Sequence, residues 1–218
     1  AHRKVLDIFT AVHPDQHVAE VIAASKKLVA EVMKMSISVQ SLAQLQTYSR
    51  GTVDHSVNIS ILASYLAMQM GYSHQLILQH VALGGLLHDI GKRKVAILED
   101  DTMEVAEKKM REHPNMGVRI LESMSTSEKI SNEVKMIVGQ HHEFHDGTGY
   151  PKKMRGNAIY DLARIVTIAN FYDELVMEEK GPLAERQKNA LIKMDQVHFH
   201  KFDPEKFEKA GKILGMGI

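Results

Sequence analysis

Four features of the chain carry side chains able to bind metal: His55, the pair His88-Asp89, His113, and the pair His141-His142. Imidazole combined with carboxylate suits borderline divalent ions such as iron, manganese, nickel or zinc, whereas a calcium site would need mostly oxygen ligands. His88 and Asp89 follow Gly84-Gly85-Leu86-Leu87, so the carboxylate falls at the end of an apolar stretch. Burying it there alone would cost several kcal/mol, which calls for a metal or another cation beside it. Neighbouring residues on a helix diverge by roughly 100 degrees. His141 and His142 therefore suit one ion each of an adjacent pair better than one ion in common.

The elements that must position these residues read as helices almost throughout. Val18, Val21, Ile22, Leu28, Val29, Val32 and Met33 keep three-four spacing, with a start signal at Pro14-Asp15. After Gly51 the run Val57, Ile61, Leu62, Tyr65, Leu66 and Met70 continues to Gly71, and Ser73 is expected to cap a third helix ending near His88. Residues 92–101 read as a loop. Asp101 with Glu104 predicts a helix start, Pro114 a restart, and Ser127 the opening of a helix through Ile130, Val134 and Ile137 to His141. A long loop covers 145–160. Asp161 is expected to cap a helix carrying Leu162, Ile165, Val166, Ile168, Ala169, Tyr172 and Leu175, and Asp203-Pro204 to open the last one. Met33, Met35, Met68, Met70 and Met136 read as core filler. With no strand pairs and no repeats, the expectation is an all-α, single-domain helical bundle. Residues 1–50 would form an N-terminal helical segment packing on, or leading into, a core of 51–218.

Composition narrows the function. Lys plus Arg number 27 against 27 Asp plus Glu, and a chain without basic excess is not expected to bind a nucleic-acid polymer. The absence of cysteine excludes disulfides, thiolate ligands and a cysteine nucleophile. No apolar run approaches a spanning length and no signal peptide opens the chain, so a cytoplasmic protein without membrane insertion is expected. The start at Ala1 is read as that of a segment, with an upstream sensory or receiver domain outside it; a homodimer is also compatible.

Two motifs now carry a family resemblance. His88-Asp89-Ile90-Gly91-Lys92 resembles the signature of the HD phosphohydrolase superfamily. The stretch from His141 to Pro151, HHEFHDGTGYP, is similar to the HHExxDGxGYP signature of HD-GYP domains. The likeness runs from about His55 to Pro204 and includes His113-Pro114, Ala163-Arg164-Ile165 and Phe202-Asp203-Pro204. It implies an HD-type bundle holding two, sometimes three, metal ions and hydrolysing the cyclic dinucleotide c-di-GMP to pGpG, in some members to GMP. It further implies His55, His88, Asp89, His113, His141 and His142 as ligands, with Asp89 bridging two divalent transition-metal ions, iron foremost and manganese as the alternative. Asp89 and Lys92 would be catalytic. Lys92 would also meet the substrate phosphate, and Gly147, Gly149, Tyr150 and Pro151 would form the substrate-side loop, with Tyr150 buttressing it.

The sequence departs from that family pattern at four places. Asn170 stands where a metal-binding Asp is expected, offering an amide oxygen but no charge, while Asp173 one turn on keeps a carboxylate. Either could complete the site. The stretch from Glu178 to Leu183 lacks the R-P-Y-R-like segment that would contact the dinucleotide. The loop from Lys92 to His113 is short. Gly51 occupies the place of a third-metal Glu, which favours two ions. The first and second departures leave a second function open: a weakly active dinucleotide receptor signalling through a partner domain. His13, His17, His74 and His80 read as surface or packing residues, and the alternating His198 and His200 are a weak metal signal.

Overall fold

The computed structural model describes residues 17–34, 51–124 and 130–215. Among them every α- or 3-10 element is helical and no strand occurs. The α-helices are α1 (Val18–Lys34), α2 (Thr52–Gln69), α3 (Gln75–Leu87), α4 (Met103–Met110), α5 (His113–Ser123), α6 (Asn132–Gln140), α7 (Asp161–Glu178), α8 (Leu183–Gln196) and α9 (Pro204–Leu214). A 3-10 turn, Ile90–Lys94, follows α3.

Helices α2 and α7 lie at the centre because their sequences leave little polar surface. Every residue from Ser56 to Ala67 is buried, as are twelve positions of α7, which marks helices surrounded on most sides. Leu62, Leu66, Leu78, Ile165, Val166 and Phe207 join α2, α3, α7 and α9 in one apolar cluster. Val21, Leu86, Ile120, Val134 and Val138 join α1, α3, α5 and α6 in a second. Helix α1 contributes to both, through Val29 to the first and Val18, Val21 and Val32 to the second.

Two glycines set how closely the site-bearing segments approach. A Cβ on Gly85 would lie 2.8 Å from the Ser60 Cα, so α3 packs backbone to backbone on α2. Next to that contact Ser60 Oγ donates to Ala82 O at 2.7 Å. A Cβ on Gly91 would come within 1.9 Å of the His113 carbonyl oxygen.

Several boundaries differ from expectation. His74, not Ser73, caps α3, its ring accepting from Leu76 N at 3.3 Å. Thr102 caps α4, while Asp101 accepts from Leu98 N and Lys109 Nζ. Asp161 is the first residue of α7, Tyr160 its cap, and the Asp161 carboxylate turns to Tyr72 and Lys206. Ser131 opens α6; Ser127, like His13, Pro14, Asp15 and Met35, lies outside the described residues. The loop at 92–101 begins as the 3-10 turn. Asp203 caps α9 as expected, accepting from Lys206 N at 3.0 Å. Helix α8 was not expected, because its polar sequence buries only Ala190 and Met194. Met33 is 45 % exposed rather than core, and Met194 is a fully buried methionine.

Gly91→Ala would drive a methyl group into backbone that cannot step aside. The change should cost about 1–3 kcal/mol or more, read as a lower urea midpoint. Unchanged stability would mean that the 3-10 turn and α5 separate freely.

Candidate metal centre

Each histidine of the candidate set sits at or near a helix end, where the backbone turns the ring inward. His55 lies in the first turn of α2, His88 caps the C-terminus of α3, His113 opens α5, and His141 caps the C-terminus of α6 with His142 next to it. The Nδ1 atoms of His88, His113 and His141 each donate at 2.8 Å to the carbonyl oxygen three residues back, those of Gly85, Met110 and Val138. His55 Nδ1 lies 2.7 Å from Asp173 Oδ2. A carbonyl or carboxylate oxygen only accepts, so Nδ1 carries the proton and a neutral ring presents its Nε2 lone pair inward.

The inward lone pairs meet in twos. His55 and His88 Nε2 are 3.2 Å apart, and His113 and His141 Nε2 are 3.1 Å apart. Two neutral rings in these tautomers would oppose lone pair to lone pair, an arrangement that a shared cation resolves. Asp89 stands between the pairs. Its Oδ1 is 3.2 Å from His113 Nε2, and its Oδ2 is 3.3 Å from His88 Nε2 and 2.6 Å from Lys92 Nζ. Oδ1 is buried without a well-formed hydrogen bond. Asp89, His113, His141 and His142 thus form one group of converging donors and His55, His88 and Asp89 another, each spanning no more than 4.8 Å. The donor set fits two divalent ions sharing one carboxylate.

Electrostatics favours the metal-binding form at His88, His141, His142 and Asp89, whereas at His55 burial is outweighed by the bond to Asp173 and the charge of Asp89, which raise the ring above the usual imidazole range. Burial, reinforced by neighbouring imidazoles, holds His141 and His142 well below the usual imidazole range, and burial lowers His88 as well. Burial opposes charge on Asp89, yet His88, His113 and Lys92 together hold its carboxyl well below the usual range. Neutral imidazoles around an ionised carboxylate are what a metal requires of its ligands.

Helix α7 grips this centre at both ends. Thr167 Oγ1 donates to His141 O at 3.0 Å, and Asp173, besides its bond to His55, accepts from Asn58 Nδ2 at 3.3 Å through Oδ1. Asp173 therefore fixes the orientation of the His55 ring. Between these contacts lies Asn170, 2 % exposed, its Nδ2 donating to Glu174 Oε1 at 3.0 Å and its Oδ1 buried with no hydrogen bond. Glu174 was not among the expected residues. It lines a cavity of about 350 Å³ with His55, Asp89, Lys92 and Asp173, and burial pushes its carboxyl above the usual range.

The loop after His142 is tied by Glu143, which sequence reasoning left without a role. Its carboxylate is 1 % exposed and accepts from the backbone N–H of Lys152 at 2.6 Å and Met154 at 2.8 Å. Gly149 lies on the backbone of 142–144, where a Cβ would meet His142 O and Phe144 N at 2.4 Å. Gly147 has φ +82, a conformation open to glycine. Tyr150, joined to Pro151 by a cis peptide bond, stacks on His142 with ring centres 4.6 Å apart. Burial raises its phenol above the usual range, so it is a neutral buttress. The Arg111 guanidinium lies 5.5 Å from the Tyr150 ring centre. His17, His74, His80, His198 and His200 belong to neither donor group.

The HD domain family matches residues 17–205. The chain is 30 % identical over 195 residues to a cyclic di-GMP phosphodiesterase of Pseudomonas aeruginosa, covering 86 % of this chain and 45 % of that protein. It is 32 % identical to a 3'3'-cGAMP-specific phosphodiesterase of Vibrio cholerae over 76 % of this chain and 36 % of that one. Among solved structures, an HDG"Y"P protein of Bdellovibrio bacteriovorus superposes with a TM-score of 0.79 at 25 % identity, covering 98 % of this chain and 68 % of that one. The chain belongs to the HD domain family, on its HD-GYP branch. It spans less than half the length of the two phosphodiesterases, and among the described residues no helix is long and apolar enough to cross a membrane.

Glu143→Ala would leave two inward backbone N–H groups without an acceptor. The expected loss is about 1–3 kcal/mol per orphaned group, read by chemical denaturation, with faster proteolytic nicking after His142. A variant as stable and as resistant as the parent would refute the tie.

Proposed function

We propose that this chain is a cytoplasmic metal-dependent phosphodiesterase that linearises c-di-GMP to pGpG at a two-metal centre, with further cleavage to GMP left to the assay. The observation that carries the reading is the Asp89 carboxylate, each oxygen turned to a separate pair of inward Nε2 lone pairs. His55, His88, Asp89, His113, His141 and His142 would hold two divalent ions, with iron foremost and manganese the alternative, and the chemistry these would supply is charge neutralisation at the phosphoryl oxygens and acidification of the attacking water. The protein's own part is positional. Lys92, with its side chain one-third exposed at the cavity, presents an ammonium beside Asp89, placed to take up charge on a phosphoryl oxygen. The loop containing Gly147, Gly149, Tyr150 and Pro151 closes over His142, giving the substrate a fixed wall. The names of relatives support a cyclic dinucleotide but divide between c-di-GMP and cGAMP, so both belong in the assay.

Anaerobically purified protein should contain close to two transition-metal ions per chain by elemental analysis and should linearise c-di-GMP faster than cGAMP. Binding without turnover in the metal-loaded protein would instead establish a receptor, and faster cleavage of cGAMP would reassign the substrate. Asp89→Ala should lose at least one ion. Lys92→Ala should keep its metal while kcat falls about 10²–10³-fold, the scale of one lost charge stabiliser. Loss of metal along with activity would make Lys92 a structural partner of Asp89 only.

A further inference from the structure

Helix α7 presents Thr167, Asn170, Asp173 and Glu174 at spacings of three and four, so they share one face. That face touches the backbone of His141 at one end and the ring of His55 at the other. Asn170 is therefore placed between the two donor groups. Its amide is buried and half satisfied: Nδ2 is bonded to Glu174, and Oδ1 has no hydrogen-bond partner. A buried oxygen left in that state is destabilising, and a cation would relieve it. Glu174 decides which amide atom is left over, because a carboxylate accepts and so draws the NH2 to itself, turning the oxygen away.

Resting on the two-metal reading above, we propose that Asn170 and Glu174 act as one unit at the metal centre. The Asn170 amide oxygen is a ligand, and Glu174 is its positioning residue, fixing the amide's orientation and supplying the negative charge that asparagine lacks. The unit divides between two side chains what one aspartate would do alone. A carboxylate that orients a ligand from behind is commonly worth 10- to 100-fold in metal affinity.

The test is calorimetric titration of chelator-stripped protein with manganese, for the parent, Glu174→Gln, Glu174→Ala, Asn170→Asp and the double variant Asn170→Asp/Glu174→Gln, with circular dichroism to verify folding. Glu174→Ala should weaken one of two ions about 10- to 100-fold. Glu174→Gln, of the same shape and still able to accept from the NH2, should weaken it less. In the Asn170→Asp background the sign should reverse: two carboxylates would stand where one hydrogen bond had been, so adding Glu174→Gln should strengthen binding. Equal affinities for the parent and both Glu174 variants overturn the proposal, as does an equal effect of Glu174→Gln in the two backgrounds. If the parent itself takes up no manganese, the two-metal reading fails too. If it binds two ions and the Glu174 variants match it, only the Asn170–Glu174 unit is refuted.

Discussion

A carboxylate buried to 0 % exposure, with four imidazoles within 3.9 Å and one ammonium at 2.6 Å, is the constraint around which this bundle is arranged. Asp89 has no water to solvate it, so its charge must be met by groups that other elements bring. Helix α2 brings His55, the end of α3 His88, the start of α5 His113 and the end of α6 His141. Each element buries apolar residues as it delivers its ring. The second apolar cluster draws α1, α3, α5 and α6 together, and its members Leu87 and Ile90 flank His88 and Asp89 in the chain. Packing and chemistry are thus coupled: without that cluster the rings would not converge, and without the rings Asp89 could not be buried.

The glycines are where the coupling is tightest. Gly85 lets α3 meet α2 closely enough to face His88 with His55, and its carbonyl also fixes the His88 tautomer. Gly91 does the same for the 3-10 turn against α5, placing Asp89 within reach of His113. Helix α7 closes the arrangement by hydrogen bonds rather than by a ring of its own, with Thr167 at one end and Asp173 at the other.

Much of this was legible in the sequence, for physical reasons. The peripheral helices such as α1 kept a three-four apolar spacing, the central ones long runs rich in apolar and small residues, and the histidines stood beside carboxylate and glycine in contiguous motifs. What escaped was whatever depends on partners far apart in the chain. Helix α8 was hidden because a peripheral helix with two buried residues has almost no periodic signal. The caps at His74 and Thr102 were missed by one residue, since adjacent polar side chains compete for the same turn. Glu143 gave no hint of its role, because the donors to its carboxylate are backbone N–H groups nine and eleven residues on. Glu174 could have been found: a glutamate four residues after Asn170 falls with Thr167 and Asp173 on one polar face of an otherwise largely apolar helix. Its presence also changes how Asn170 is understood, since the missing charge stands one turn away.

The three short bonds from ring Nδ1 to the carbonyl three residues back have a consequence for how the site is loaded. Each of these rings is locked by its own turn of chain, so its rotamer and tautomer are decided before any other element arrives. The conformational entropy of those side chains is surrendered during folding, so little of it would be left to oppose an incoming ion. Such a centre behaves as a rigid mould rather than a flexible chelator. A metal bound there would gain affinity from advance order, and fixed rings would discriminate among ions by size and coordination geometry because they have little freedom to adapt to the wrong one.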